Sequence, residues 1–162
     1  MALRPATRDD APDVASVLLS SRRGLLPQVP FAHDENDVRR WVRDELLRTG
    51  AVTVAVDGAS IVGVIATARE SDVSWIDQLY VVPAYAGRGV GSQLLAHAMG
   101  TLPRPIRLYT FQINTRSRTF YERHGFRAIS FGDGSANEEG CPDVLYECAE
   151  RGEPDGGNVP RA

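Results

Sequence analysis

Cysteine is scarce, with only Cys141 and Cys148 in 162 residues. They are not spaced as a CxxC pair and no histidine cluster accompanies them. Neither a metal site nor a disulfide framework is indicated, and two ordinary thiols near the last strand are expected. Long apolar runs are missing too. No segment approaches the ~18 residues of a membrane-spanning helix. The opening Met1-Ala2-Leu3-Arg4-Pro5 is not a charged region leading into an apolar stretch. The expectation is a cytoplasmic chain with no membrane partner. An excess of positive charge is also lacking: the formal net charge is −3. Nucleic acid is therefore not an expected partner. A local basic pocket for a phosphorylated small molecule stays open, because net charge does not report on local field.

Apolar residues make up 43% and charged residues 24% of the chain, a globular balance rather than a disordered one. The length suits one domain with its own core, placed at residues 1–150. Residues 151–162 are rich in Gly, Pro and charge and read as a flexible tail. Leu3 to Thr7 reads as a first, edge strand. Asp9 and Asp10 are cap candidates for a helix carrying Ala11, Val14, Ala15 and Leu18, ended by Gly24 and Pro27. Asp34 caps a second helix, with Val38, Trp41, Val42 and Leu46 on one face and Gly50 as its stop. The period then shortens. Ala51 to Val56 and Ile61 to Thr67 flank the turn signal Asp57-Gly58 and read as a hairpin. Trp75 to Val82 and Ile106 to Phe111 are further strands, joined through a helix at Gly91 to Met99, so they should be parallel. A short helix at Thr115 to His124 and strands at Arg127 to Phe131 and Val144 to Cys148 finish the domain. The order β-α-α-β-β-β-α-β-α-β-β predicts an α/β fold, one twisted mixed sheet with helices on both faces.

The segment Leu79-Tyr80-Val81-Val82-Pro83-Ala84-Tyr85-Ala86-Gly87-Arg88-Gly89-Val90-Gly91-Ser92-Gln93-Leu94-Leu95 carries the strongest chemical signal. A strand runs into a glycine-rich turn that opens a helix. Alternating glycines let backbone N–H groups converge without Cβ obstruction, and the helix start adds free donors and partial positive charge. That combination suits a pyrophosphate. A P-loop would need Gly-Lys-Ser/Thr, and the segment has no lysine. The dinucleotide fingerprint would need a glycine where Ser92 stands. A plain strand-to-helix turn remains the alternative.

Further along, Asn114-Thr115-Arg116-Ser117-Arg118-Thr119-Phe120-Tyr121-Glu122-Arg123-His124-Gly125-Phe126 opens on an N-cap residue and closes on a glycine suited to the left-handed C-terminal position. Asn114, Ser117 or Arg118, and Tyr121 fall on one helix face. Together the two segments, in this order and separation, resemble the GNAT superfamily of N-acetyltransferases, over about residues 3 to 148. One departure is Ala86, where the superfamily loop normally begins with Gln or Arg. Arg88 is then a candidate to supply charge to the pyrophosphate.

The resemblance implies acetyl-CoA as co-substrate, no metal, and a small-molecule or peptide amine as acceptor; a homodimer is compatible with it. It places acetyl-CoA against Leu79, Tyr80, Val81, Ala86, Gly87, Arg88, Gly89, Val90, Gly91, Ser92, Asn114, Ser117 and Tyr121. It also implies direct attack of the amine on the thioester, with the Val81 N–H at the acetyl oxygen and Tyr121 giving its proton to the leaving thiolate. Asp77 alternates with Leu79 and Val81 at period two. It stands as either a base acting through water or a solvated anchor, with Glu70 as runner-up. His97 and His124 read as structural; His33 sits in an early loop at the edge of the candidate acceptor site, with substrate contact the minor alternative. The acidic loop at 132–140 is either a collar for a cationic amine or a solvated hairpin tip, and Arg22, Arg23 and the stretch to His33 form the opposite wall. The competing classes are a non-catalytic acyl-CoA sensor on the same fold and a phosphate-binding regulatory domain.

Overall fold

The computed structural model describes residues 1–49 and 51–149. The strands are β1 (Ala2–Pro5), β2 (Val52–Asp57), β3 (Ser60–Glu70), β4 (Val73–Val81), β5 (Ile106–Phe111), β6 (Arg127–Gly132) and β7 (Asp143–Cys148). The helices are α1 (Ala11–Leu25), α2 (Glu35–Asp44), α3 (Val90–Thr101) and α4 (Thr115–Arg123), with single 3-10 turns at Arg8–Asp10, Leu46–Arg48 and Pro83–Tyr85. This is the expected order. The proposed helix stop at Gly50 and the tail at 151–162 lie outside the described residues.

Seven strands form one sheet in the order β1-β2-β3-β4-β5-β7-β6. Every neighbouring pair is antiparallel except β4 with β5. The hairpin β2–β3 turns at Asp57-Gly58, where Gly58 has φ +61°, a left-handed conformation that glycine adopts without cost. The parallel pair needs a crossover, and α3 supplies it.

Each face of the sheet buries its own core. Beneath α3 and α4, Leu94, Leu95, Tyr121 and Phe126 pack on Ile65, Ile106, Leu108 and Tyr146. Beneath α1 and α2, Val14, Leu18 and Val42 pack on Val54 and Val64. Neighbouring residues of β4 divide between these faces: Leu79 and Val81 lean on the first core and Tyr80 on the second. That alternation positions the site described below.

Local chemistry sets the ends of the elements. Asp34 accepts a hydrogen bond from the Asp37 N–H at 2.8 Å, capping α2 as expected. Asp10 is buried at the start of α1 and receives both Nη groups of Arg4, at 2.7 and 3.0 Å, tying β1 to the helix. The arginine bond chiefly holds its carboxyl down to about 2.

Two expectations are corrected. Gly24 does not end α1, which runs on to Leu25; a Cβ there would stand 2.5 Å from Pro83 Cγ, so glycine serves close approach to the 3-10 turn. Trp41 is not inward like Val42 but is 38% exposed.

Gly63 plays the same part under α3. A Cβ at this position would stand 2.8 Å from Val90 Cγ1 and 2.9 Å from Leu94 Cδ1. Gly63→Ala should therefore overpack the junction and destabilise the fold by about 1–3 kcal/mol. A fall in the urea midpoint at unchanged slope checks this, and an unchanged midpoint refutes it.

Candidate functional site

Pairing between β4 and β5 lasts for only two residue pairs, Ser74↔Ile106 and Trp75↔Arg107. Here the strands are pinned: Ser74 N–H donates to Pro105 O at 3.0 Å and Ser74 Oγ to Pro103 O at 2.6 Å. Beyond Trp75 the ladder stops, while β4 continues to pair with β3 through Val81. The Val82 N–H donates to Val62 O on β3, at 3.0 Å. Strand alternation therefore turns the N–H of Val81 and of Leu79 to the other edge, toward the gap. A backbone donor without a ladder partner must be satisfied by water or ligand.

A cavity of about 720 Å³ occupies this region. It is lined from β4 by Leu79, Tyr80 and Val81, from α1 by Ser21, Arg22, Leu25 and Leu26, and from α4 by Ser117, Phe120, Tyr121 and Arg123. Because α1 and α4 lie on opposite faces, the cavity runs through the sheet.

The glycine segment forms one end. Tyr85 donates its hydroxyl to Asp57 Oδ2 at 2.6 Å, tying the loop to the β2–β3 turn. Gly87 has φ +76° and Gly89 φ +86°, and Gly89 is the N-cap of α3. Among the described residues nothing stands within 4 Å of a Cβ placed on Gly89, so the loop opens on free space. Ala86, Gly87, Gly89, Gly91 and Ser92 line the cavity. Val90 does not: it is 2% exposed and anchors the helix in the core. Arg88 is also absent from the lining and stacks over the Tyr85 ring at 4.8 Å. Positive charge comes instead from α4, where Arg116 and Arg123 line the cavity. Arg116 Nη2 lies 3.9 Å from where a Gly87 Cβ would be. Sequence reasoning missed this pair, although both stand within the second motif.

Asn114 Oδ1 accepts from the Ser117 N–H at 3.1 Å, capping α4, and both residues line the cavity. Seven residues on, Tyr121 is 8% exposed. Phe120 and Phe126 meet its ring edge-on, with centroids at 5.2 and 5.7 Å, so its direction is fixed. Its hydroxyl has no hydrogen-bond partner among the described residues. Burial first, then Tyr80, pushes its pKa up, so the phenol stays protonated. His124 is held by Phe120 O at 2.8 Å, and neither it nor exposed His97 lines the cavity.

Asp77 is a correction. The β3–β4 register passes from Ala66↔Gln78 to Thr67↔Ile76, skipping it. This β-bulge shifts the phase, so Ile76 rather than Asp77 shares a core with Leu79 and Val81. Asp77 is exposed and outside the cavity lining. Partial desolvation, and after it the Glu70 carboxylate, raise its pKa above the ordinary value. No Asp, Glu or His lines the cavity among the described residues. Nor does any group of three or more His, Cys, Asp or Glu there suit a metal ion. No helix among them is long and apolar enough to cross a membrane.

The loop between β6 and β7 is tied down rather than a free tip. Asn137 Nδ2 donates to Cys141 O at 2.7 Å and to Asp143 Oδ2 at 3.2 Å. His33, in the α1–α2 loop, meets Glu138 of this loop at 2.8 Å. That bond, chiefly, raises the His33 pKa. The two walls named from the sequence thus touch each other.

Residues 48–128 match the family of the acetyltransferase (GNAT) domain. An uncharacterized N-acetyltransferase of Archaeoglobus fulgidus is 29% identical over 156 residues, covering 85% of this chain and 100% of that protein. The uncharacterized N-acetyltransferase YafP of Escherichia coli is 30% identical over 116 residues, 72% of this chain and 71% of its own. Among solved structures, the PaiA N-acetyltransferase of Thermoplasma acidophilum in complex with coenzyme A superposes with a TM-score of 0.72 at 20% identity, covering 91% of this chain and 98% of that one. The chain belongs to the GNAT family of N-acetyltransferases.

The Gly89 backbone is the most exacting part of the loop. Valine is strained at φ +86° and would turn the N–H groups of the helix start. Gly89→Val should weaken acetyl-CoA binding by at least ~10-fold, about 1.4 kcal/mol. Calorimetry on the folded variant checks it; unchanged affinity removes the loop from the site.

Proposed function

We propose that this chain transfers the acetyl group of acetyl-CoA to a primary amine in a ternary complex. One observation carries the reading: a single cavity through the sheet joins the open glycine loop, the outward N–H edge of β4 and the unpaired hydroxyl of Tyr121. The residues present fit a CoA thioester. The left-handed Gly87 and Gly89 and the first turn of α3 suit a pyrophosphate, and Arg116 and Arg123 add charge. Likeness to a protein described in complex with coenzyme A supports the same choice.

The amine enters from the α1 side. Its nitrogen lone pair bonds to the thioester carbonyl carbon. The oxygen gathers negative charge, which the Val81 N–H stabilises. The carbon–sulfur bond then breaks and sulfur leaves with the electron pair. Tyr121 donates its proton to that sulfur. A buried phenol is a weak acid, but the same burial raises the basicity of the thiolate, so the two remain matched. Cys141 and Cys148 are outside the cavity, so no acyl-enzyme is invoked. With no carboxylate or imidazole on the cavity wall among the described residues, the ammonium loses one proton to water before attack, and the second N–H proton, shed once the carbon–nitrogen bond has formed, returns through water to the Tyr121 phenolate.

Free-thiol release from acetyl-CoA across a panel of amines tests the reading. Binding of acetyl-CoA without thiol release with any amine would identify an acyl-CoA sensor instead. Tyr121→Phe keeps the ring and removes one hydroxyl. Turnover should fall ~10²-fold with acetyl-CoA affinity nearly kept; a variant within twofold of wild type would make the residue structural. Without an internal base, kcat/KM should rise about tenfold per pH unit below the pKa of the acceptor amine. Asp77→Asn should leave that profile and neutral-pH turnover within about threefold of wild type, because its carboxylate sits outside the cavity. A large loss with Asp77→Asn, rescued at high pH, would restore Asp77 as a water-linked base.

A further inference from the structure

Resting on the transferase reading, the α1 side of the cavity narrows the acceptor. Arg22 lines this end. Its guanidinium sits over the Phe31 ring at 4.8 Å and beside Phe111 at 5.9 Å. Phe111 ends β5, on the far side of the gap from Tyr80. Two rings thus hold the cation at the breach, on the face from which α1 covers the sheet.

Beyond the two rings, the protein engages this cation with the Tyr80 hydroxyl and with one backbone carbonyl. One Nη2 hydrogen bond goes to Pro30 O, at 3.2 Å. The Nε is shielded from solvent and has no partner. No carboxylate lies within ion-pair distance of Arg22 among the described residues, whereas neighbouring Arg23 pairs with Glu35 at 3.2 Å. A clamp on the α1–α2 loop would need one N–H, and Pro30 takes it. A partly desolvated guanidinium with no counter-charge is costly, and it gains most from an anion brought to its remaining N–H groups. Its field already reaches the reaction side of the gap. Burial raises the Tyr80 pKa, and Arg22 is the main influence pulling the other way.

We infer that Arg22 is a specificity-determining residue that receives a carboxylate of the acceptor, so that the preferred substrates are small primary amines bearing a carboxylate, the amino-acid class. The carboxylate meets the Nη groups of Arg22 at the α1 end, and the amine extends through the gap toward the Val81 edge and Tyr121. Arg22 takes no part in bond making. It holds the acceptor in register, which is a gain in both affinity and orientation.

The test pairs amino acids with their amides and decarboxylated counterparts in the thiol-release assay. Wild type should prefer the acid over its amide by ~30-fold or more in kcat/KM. In Arg22→Gln that preference should collapse to within about threefold, mainly through KM, with acetyl-CoA affinity by calorimetry unchanged. Should Arg22→Gln misfold, wild type is titrated with an N-acetyl amino acid and with its amide, and the acid should bind ~10-fold or more tighter. Equal use of acids and amides by wild type, a preference that survives Arg22→Gln, or equal binding of the two products would each overturn the assignment while leaving the transferase intact. If acetyl-CoA binds but no amine of either class releases thiol, the transferase reading fails and this assignment with it.

Discussion

Hydrogen bonding between β4 and β5 stops after two residue pairs, and the fold is arranged around that interruption. A parallel ladder carried further would satisfy the backbone of Leu79 and Val81 and close the sheet. Instead Ser74 is locked to Pro103 and Pro105 at the closed end, and the strands part beyond it. The separation leaves directed N–H groups beyond the last β4–β5 pair, where no ladder partner faces them among the described residues. It also lets α1, on one face, and α4, on the other, line a common space. Each remaining element keeps this wedge open or furnishes its walls. α3 crosses over from β4 to β5 and brings its N-terminus to the mouth. Gly63 lets that helix settle against β3. The bulge at Asp77 restores the phase of β4, so Leu79 and Val81 keep to one core while Tyr80 keeps to the other.

Electrostatics at the wedge follow from the same division. On the α4 face the walls supply arginines and a helix start, a setting for phosphate. On the α1 face they supply an aromatic-sandwiched arginine. In between, Tyr80 and Tyr121 line the cavity together with Val81, and burial keeps both hydroxyls protonated. A neutral centre between two cationic ends favours a reaction whose charge develops briefly and is met by dipoles rather than by a fixed ion.

Much of this was legible in the sequence because it depends on local chemistry. The order of strands and helices follows from changes of period. The caps at Asp34 and Asn114 and the glycine loop follow from residue type and spacing. What was illegible depends on distance or on a single extra residue. Asp77 looked like a face-mate of Leu79 and Val81 because alternation was counted without the bulge, and one inserted residue reverses every assignment upstream of it. Gly24 looked like a helix stop because its true reason, the approach of Pro83, lies 59 positions away in the chain. Arg88 was favoured as the charged residue of the loop because it is in the loop, whereas Arg116 reaches the same place from another helix. Arg22 was visible only as part of a wall; that it forms no ion pair among the described residues appears once Phe31, Pro30 and Phe111 surround it.

The cationic walls have one more consequence. A cavity that presents an activated acyl group threatens any nucleophilic amine of its own. The three basic residues on its walls, Arg22, Arg116 and Arg123, are all arginines, and the whole chain contains no lysine. A guanidinium stays protonated and delocalised at every pH the fold meets, so it is inert toward thioesters. The cavity thereby carries positive charges that acyl transfer cannot erase.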